Sequence, residues 1–221
     1  MKAFSHELIP AAPDISFEIP LWAEGWRVAG LDEAGRGAWA GPVAAAAVIL
    51  PNDLGLLKRL DGVRDSKQIK PANREILAAI ICAVALAWGV GSASNTEIDT
   101  LGIITATRLA MFRALEMLTP PADYLLLDAI FLPESSLPQT ALIKGDQRSL
   151  SIAAASILAK TSRDAWMINL SKTYGDYGFE YHKGYGTRRH QTALVDQGPC
   201  PLHRVSFNPI NSIINRVGSG D

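Results

Sequence analysis

The stretch Val28-Ala29-Gly30-Leu31-Asp32-Glu33-Ala34-Gly35-Arg36-Gly37 decides the reading of this chain. An apolar run leads into two adjacent carboxylates, and a Gly-Arg-Gly turn follows within two residues. Carboxylates this close repel each other and are costly to hold together unless a cation neutralises them. Glycines let a backbone come very near a ligand, and an arginine grips phosphate. Acid pair, permissive turn and phosphate reader together point to metal-assisted chemistry on a phosphodiester. The same turn formally fits G-x-G-x-x-A through Gly35, Gly37 and Ala40. A dinucleotide site needs that turn to open a helix whose N-terminus meets pyrophosphate. Here Gly41-Pro42 and a strand-like segment follow, and two acids would face the pyrophosphate, so the match is rejected.

Outward from this stretch, the pattern predicts strands over 26–32 and Pro42–Leu50, the latter on the strength of its flanks and its Val-Ile-Leu end, since alanine is a poor strand former. Asp65-Ser66-Lys67 falls in a loop before a short helix over Ala72–Ile80, and Ala83–Gly91 reads as a third strand. Apolar residues recur at helical spacing from Ile98 to Leu118, which predicts one long helix over Asn95–Leu118, stopped by Pro120-Pro121. Strands follow at Tyr124–Ile130 and Gln139–Lys144, then an Ala-rich helix over Ser149–Leu170 with Ser149 or Ser151 as N-cap, and a helix over Thr187–Gln197. Strands first in a run and then alternating with helices imply an α/β fold, a mixed sheet flanked by helices. Residues 1–25, broken by Pro10, Pro13 and Pro20, read as a flexible arm; 26–198 form the catalytic domain; 199–221 form a small C-terminal extension ending in a short helix.

The 221 residues, 48% of them hydrophobic, suffice for one sizeable core. No apolar run is long enough to span a bilayer, and the N-terminus lacks the order of a signal peptide. Cys82 and Cys200 form no CxxC pair and read as reduced thiols, so a cytoplasmic protein is expected. A net charge of −1 argues weakly against a nucleic-acid partner. Its distribution argues the other way: residues 1–35 are acidic, whereas 141–190 carry Lys144, Arg148, Lys160, Arg163, Lys172, Lys183, Arg188 and Arg189. Taken singly, each of these cations is explained by a solvated helix face.

Asp128 interrupts the apolar Tyr124–Ile130 segment, where an ionised carboxylate is costly unless paired or bound to metal. A strand-end Asp capping a turn is the alternative. Asp146 precedes the Ala-rich helix, as a fourth site acid or as an ordinary acid favoured by the helix dipole. Several acids with few histidines suit a hard cation, Mg²⁺ or Mn²⁺, rather than zinc. Tyr185, between Gly184 and Gly186, either stacks on a sugar or base or plugs the sheet edge. His182, His190 and His203 show no obvious mutual spacing and read as structural or phosphate-side rather than as metal ligands, the tryptophans as packing residues, and Asp164 as a mid-helix salt-bridge partner.

In their order along the chain, these segments resemble bacterial ribonuclease HII. The resemblance runs from about Val28 to Pro209 and rests on Leu31-Asp32-Glu33-Ala34-Gly35-Arg36-Gly37, Asp65-Ser66-Lys67, Leu126-Leu127-Asp128, Lys144-Gly145-Asp146, Ser151–Ile157, Arg163-Asp164, His182–Thr187 and Gly198–Arg204. Ala129 follows Asp128 where many members of the family place Gly. The resemblance implies a ribonuclease H-like fold. It implies endonucleolytic cleavage of the RNA strand of RNA–DNA hybrids, and of duplex DNA containing single ribonucleotides on their 5′ side. A two-metal-ion mechanism would leave 3′-hydroxyl and 5′-phosphate ends. Asp32, Glu33, Asp128 and Asp146 would be catalytic and hold the Mg²⁺ or Mn²⁺. Gly35, Arg36 and Gly37 would read the 2′-hydroxyl, which distinguishes RNA from DNA at a nucleotide. Tyr185 would stack on the neighbouring deoxyribose, and Ser66 and Lys67 would contact phosphate. A role in ribonucleotide removal during repair and replication follows, and a monomer is expected because nothing marks a self-interface. The rivals are a related 3′–5′ exonuclease, whose first acids are typically spaced Asp-x-Glu rather than adjacent, and a non-catalytic nucleic-acid-binding module.

Overall fold

The structure, a computed structural model, describes residues 9–218. Five strands, β1 (Val28–Ala34), β2 (Val43–Ile49), β3 (Ala87–Ala93), β4 (Tyr124–Asp128) and β5 (Gln139–Leu142), form one sheet in the order β3-β2-β1-β4-β5. The first three pair antiparallel, and β4 and β5 run parallel to β1, so the sheet is mixed. The helices are α1 (Glu18–Ala23), α2 (Leu56–Arg59), α3 (Pro71–Val84), α4 (Asn95–Leu101), α5 (Ile103–Glu116), α6 (Leu150–Ser171), α7 (Phe179–His182), α8 (Arg188–Gln197) and α9 (Ile210–Gly218).

Two apolar layers sandwich the sheet. One joins Val28, Ala46, Val48 and Leu126 to Ile152–Ala155 of α6, and the other joins Ala29, Leu31, Ala45, Ala47 and Leu127 to Ala106, Ala110 and Ala114 of α5. A strand covered on both faces is buried along its whole length, as β2 is. Its four alanines are weak strand formers, yet they leave the room that lets α5 and α6 pack close. Gly30 brings α6 closer still: a Cβ there would lie 2.2 Å from the Ser151 carbonyl carbon.

Several elements differ from their sequence reading. The expected long helix over 95–118 is two helices, because Gly102 takes φ +77° between α4 and α5. The helix expected over 72–80 continues to Val84, which moves the third strand to Ala87–Ala93. The arm expected over 1–25 is packed structure in its described part: Ile15 and Trp22 are buried, and α1 seats Glu18 against α6. Residues 1–8 lie outside the described residues. The boundary at 198/199 separates nothing, since His203 and Arg204 are buried against the 35–41 loop. Trp26 and Trp88 are partly exposed rather than core. Among the described residues, no helix is long and apolar enough to cross a membrane.

Candidate active site

The parallel register of β1 and β4 pairs Leu31 with Leu127. Each strand then delivers an acid at its C-terminal end, Asp32 and Asp128, on the face that α6 covers. The chain leaves β5 through Lys144 in the left-handed region and makes a short 3-10 turn, Gly145–Gln147, that ends where Ser149 caps α6. This turn carries Asp146, and its Gly145 amide donates to Asp128 Oδ1 at 2.7 Å. Asp32, Asp128 and Asp146 thus each offer a carboxylate oxygen within 4.8 Å of the others.

Glu33 stands beside this triad. Its Oε1 accepts from Arg36 Nη1 at 3.0 Å, whereas its Oε2 is buried with no hydrogen-bond partner. A buried carboxylate oxygen without a donor is costly. A cation satisfies both this oxygen and the triad, and an all-oxygen, multiply anionic donor set fits a hard divalent ion.

The charges confirm the crowding. Burial, then repulsion from Glu33, Asp128 and Asp146, pushes the Asp32 carboxyl well above its ordinary range. Burial, then Asp128 and Asp65, raises Asp146 to about 7. Burial also raises Glu33, against the pull of Arg36, and Asp128, against the Gly145 amide. Burial pulls Lys67 down, yet the surrounding Asp65, Asp32 and Asp146 outweigh it and hold its ammonium above the usual lysine range. Lys67 Nζ lies 3.8 Å from Asp65 and 3.9 Å from Asp146.

Beside these groups opens a cleft of about 660 Å³ whose wall includes Asp32, Glu33, Gly35, Arg36, Gly37, Ser66, Lys67, Asp128 and Tyr185. Asp146, 4% exposed, is not on that wall. The Ser66 hydroxyl is turned inward, paired with Ser156 Oγ at 2.9 Å. Tyr185 stands on the far side with Lys160 Nζ and Arg163 Cζ about 5.4 and 5.3 Å from its ring centre, a cationic bed beneath an aromatic face. Asp164 is held by Arg74 at 2.8 Å and Lys160 at 2.7 Å, the salt-bridge role expected of it. After Gly37 the chain enters β2, not a helix, which disposes of the dinucleotide fingerprint.

Some residues support the site in roles that their sequence does not signal. Asp65 caps the turn bearing Ser66 and Lys67 by accepting from the Lys67 amide at 3.0 Å. His182, His190 and His203 form one cluster: the rings of His182 and His190 stack at 4.4 Å, and His190 Nε2 meets His203 Nε2 at 3.0 Å. His190 Nδ1 bonds the Tyr185 carbonyl at 3.0 Å, so the cluster braces the tyrosine loop. Arg163 and Arg204 are fully buried and bonded to backbone carbonyls. Both arginines lie in segments that carry the family resemblance, but nothing in their spacing says that they share one loop.

The ribonuclease HII family model matches residues 29–210. Curated ribonuclease HII proteins from Roseiflexus castenholzii and Chloroflexus aurantiacus are 54% and 52% identical over 200 residues, covering 90% of this chain and 89% and 94% of theirs. The crystal structure of ribonuclease H2 from Pyrococcus horikoshii OT3 superposes with a TM-score of 0.69 at 25% identity, over 87% of this chain and 99% of that one. With the mixed sheet and the acidic site at its strand ends, this establishes that the chain belongs to the bacterial ribonuclease HII family, metal-dependent ribonucleases of the ribonuclease H fold.

Proposed function

We propose that this protein cuts the RNA strand of RNA–DNA hybrids, and cuts on the 5′ side of single ribonucleotides embedded in duplex DNA, leaving 3′-hydroxyl and 5′-phosphate ends. The observation that carries this reading is the meeting of the Asp32, Asp128 and Asp146 carboxylates within 4.8 Å, with the orphaned Glu33 Oε2 beside them and the Gly35-Arg36-Gly37 turn on the same cleft wall. Asp32, Glu33, Asp128 and Asp146 would hold Mg²⁺ or Mn²⁺. When bound, such ions activate water and stabilise the charge that develops on the leaving oxygen.

The chain's own residues do the rest. Lys67, 75% exposed at its side chain, reaches over the acids and offers its ammonium to a phosphate next to the scissile bond. Gly35, Arg36 and Gly37 bring a backbone without bulky side chains to the ribose. Arg36 also shields Glu33 and orients it. Tyr185 supplies a flat face for the neighbouring deoxyribose. Ser66 acts through its backbone and the turn it starts, since its hydroxyl is engaged by Ser156. This chemistry suits removal of ribonucleotides during repair and replication, by a protein we take to act as a monomer.

A labelled RNA strand paired with DNA, all-RNA duplex and all-DNA duplex test the proposal in parallel. Internal cuts confined to the hybrid, whose upstream products a polymerase extends directly, are expected. Cleavage of all-RNA duplex at an equal rate, or ends that a polymerase cannot extend, would contradict it.

A further inference from the structure

We infer that Arg204, with Arg163 behind it, is a positioning residue that aims the amides of Arg36 and Gly37 into the cleft. This rests on the proposed reading of the ribose 2′-hydroxyl by the 35–37 turn. Both guanidiniums are 0% exposed, and among the described residues neither has a carboxylate within ion-pair distance. Every side-chain nitrogen instead donates to a backbone carbonyl. Arg204 bonds Gly41 from Nε at 3.0 Å, Arg36 from Nη1 at 2.8 Å and Gly35 from Nη2 at 2.8 Å. Arg163 bonds Pro42 from Nε at 2.8 Å, Ala40 from Nη2 at 3.2 Å and Lys183, two residues before Tyr185, from Nη1 at 2.9 Å.

Buried cations without counter-ions are a poor way to fill space, because apolar residues of similar volume stabilise as well or better. What these two provide is control of the direction of a loop's peptide planes. A trans peptide is planar, and the N–H of one residue points opposite to the carbonyl before it. With the Gly35 and Arg36 carbonyls drawn back onto Arg204, the Arg36 and Gly37 amides must face the other way. Neither amide donates to a group among the described residues, and both residues border the cleft. Gly35 lets the cradle close: its φ is +95°, and a Cβ there would lie 1.9 Å from Arg163 Nε. Two amides side by side are the donors that a ribose hydroxyl can meet and a deoxyribose cannot.

The test uses the full chain as R204K and R204M with Mg²⁺, two duplexes and a melting curve. One duplex carries a single ribonucleotide and is the substrate; the other is the same sequence in DNA and is the competitor. Both variants are expected to melt cooperatively, with the inhibition constant of the all-DNA duplex within twofold of wild type. In both, kcat/KM on the ribonucleotide duplex is expected to fall about tenfold or more, the worth of one or two hydrogen bonds to an oriented group. Lysine does not rescue, because a single ammonium cannot hold three carbonyls in the fork that guanidinium fits. If R204M does not fold, R204K decides. A folded variant that keeps kcat/KM within twofold overturns the inference. So does one whose affinity for all-DNA duplex falls in parallel, the mark of a merely structural arginine. Equal cutting of the two duplexes by wild type would remove the 2′-hydroxyl reading itself, and the inference with it, before any variant is compared.

Discussion

Asp32 and Asp128 leave neighbouring parallel strands at the same level, one residue beyond the register pair Leu31 and Leu127. The sheet itself therefore sets the two carboxylates side by side, and the turn before α6 adds Asp146 to them. Without metal, this is repulsion built into the fold. The carboxyl of Asp146 rises from 3.8 to about 7 on folding, first through burial and then through Asp128. A raised carboxyl favours the folded state while it is protonated, and that contribution is lost as pH climbs from about 4 through about 7. In the metal-free protein, D146N is thus expected to melt within a degree or so of wild type near pH 4. By pH 8 it should melt several degrees higher: the unscreened shift is worth about 4 kcal/mol, and solvent screening beside the open cleft brings this to the order of 2 kcal/mol. Melting curves of both proteins in chelator across this range check it, and equal melting at pH 8 would contradict it.

Burial holds His190 and His203 neutral, at about 4, and their contact at 3.0 Å needs one ring nitrogen to accept. Their folded values lie below the ordinary 6.5, so the stability they contribute is present above 6.5 and lost as pH falls through about 4. Imidazole NMR spectra are expected to show both rings titrating near pH 4. Titration of either near 6.5 would show that the cluster is open to water.

Glu18 is a buried carboxylate at the start of α6. Its Oε1 accepts from the Ser149 and Ser151 hydroxyls at 2.6 Å each and from the Ser151 amide at 3.0 Å. Such an acid both fills orphan donors at a helix N-terminus and meets its dipole. E18A leaves these donors without an acceptor and is expected to cost about 2 kcal/mol, read by urea unfolding. No change would return the N-terminal segment to the flexible arm suggested by its prolines.

Ala129, directly after Asp128, has φ +56°, in the left-handed region where an L residue is strained by about 1–2 kcal/mol. Part of that is offset by the greater chain entropy that glycine loses on folding. A129G is expected to raise the melting temperature by roughly 1–3 °C with activity unchanged. A fall in melting temperature would contradict this account of the turn.

The parts of this molecule legible in sequence were those whose chemistry is local. Asp32-Glu33 before a Gly-Arg-Gly turn, and Asp128 inside an apolar strand, are anomalies visible in a few residues. The helix break at Gly102 was hidden because the apolar spacing runs through it and a single glycine is tolerated in a helical pattern. Ala44–Ala47 read poorly as strand because propensity ignores the two helices that need small residues there. Glu18, Arg163 and Arg204 were illegible because their partners lie 20 to 169 residues away, and the sequence shows only the charge, not the carbonyl or hydroxyl it meets. The histidine cluster was illegible because it closes through the 13-residue step from His190 to His203 and a ring stack, neither of which follows a helical or strand period.

In the proposed function, the four acids and the 35–37 turn act together on one ribonucleotide. The most direct measurement of this is cleavage of an end-labelled DNA duplex carrying a single ribonucleotide, with Mg²⁺ and with Mn²⁺, beside an all-DNA duplex and the D128N protein. One cut on the 5′ side of the ribonucleotide, absent from both controls, is the predicted result. An uncut ribonucleotide duplex, equal cutting of plain DNA, or full activity in D128N would contradict the account.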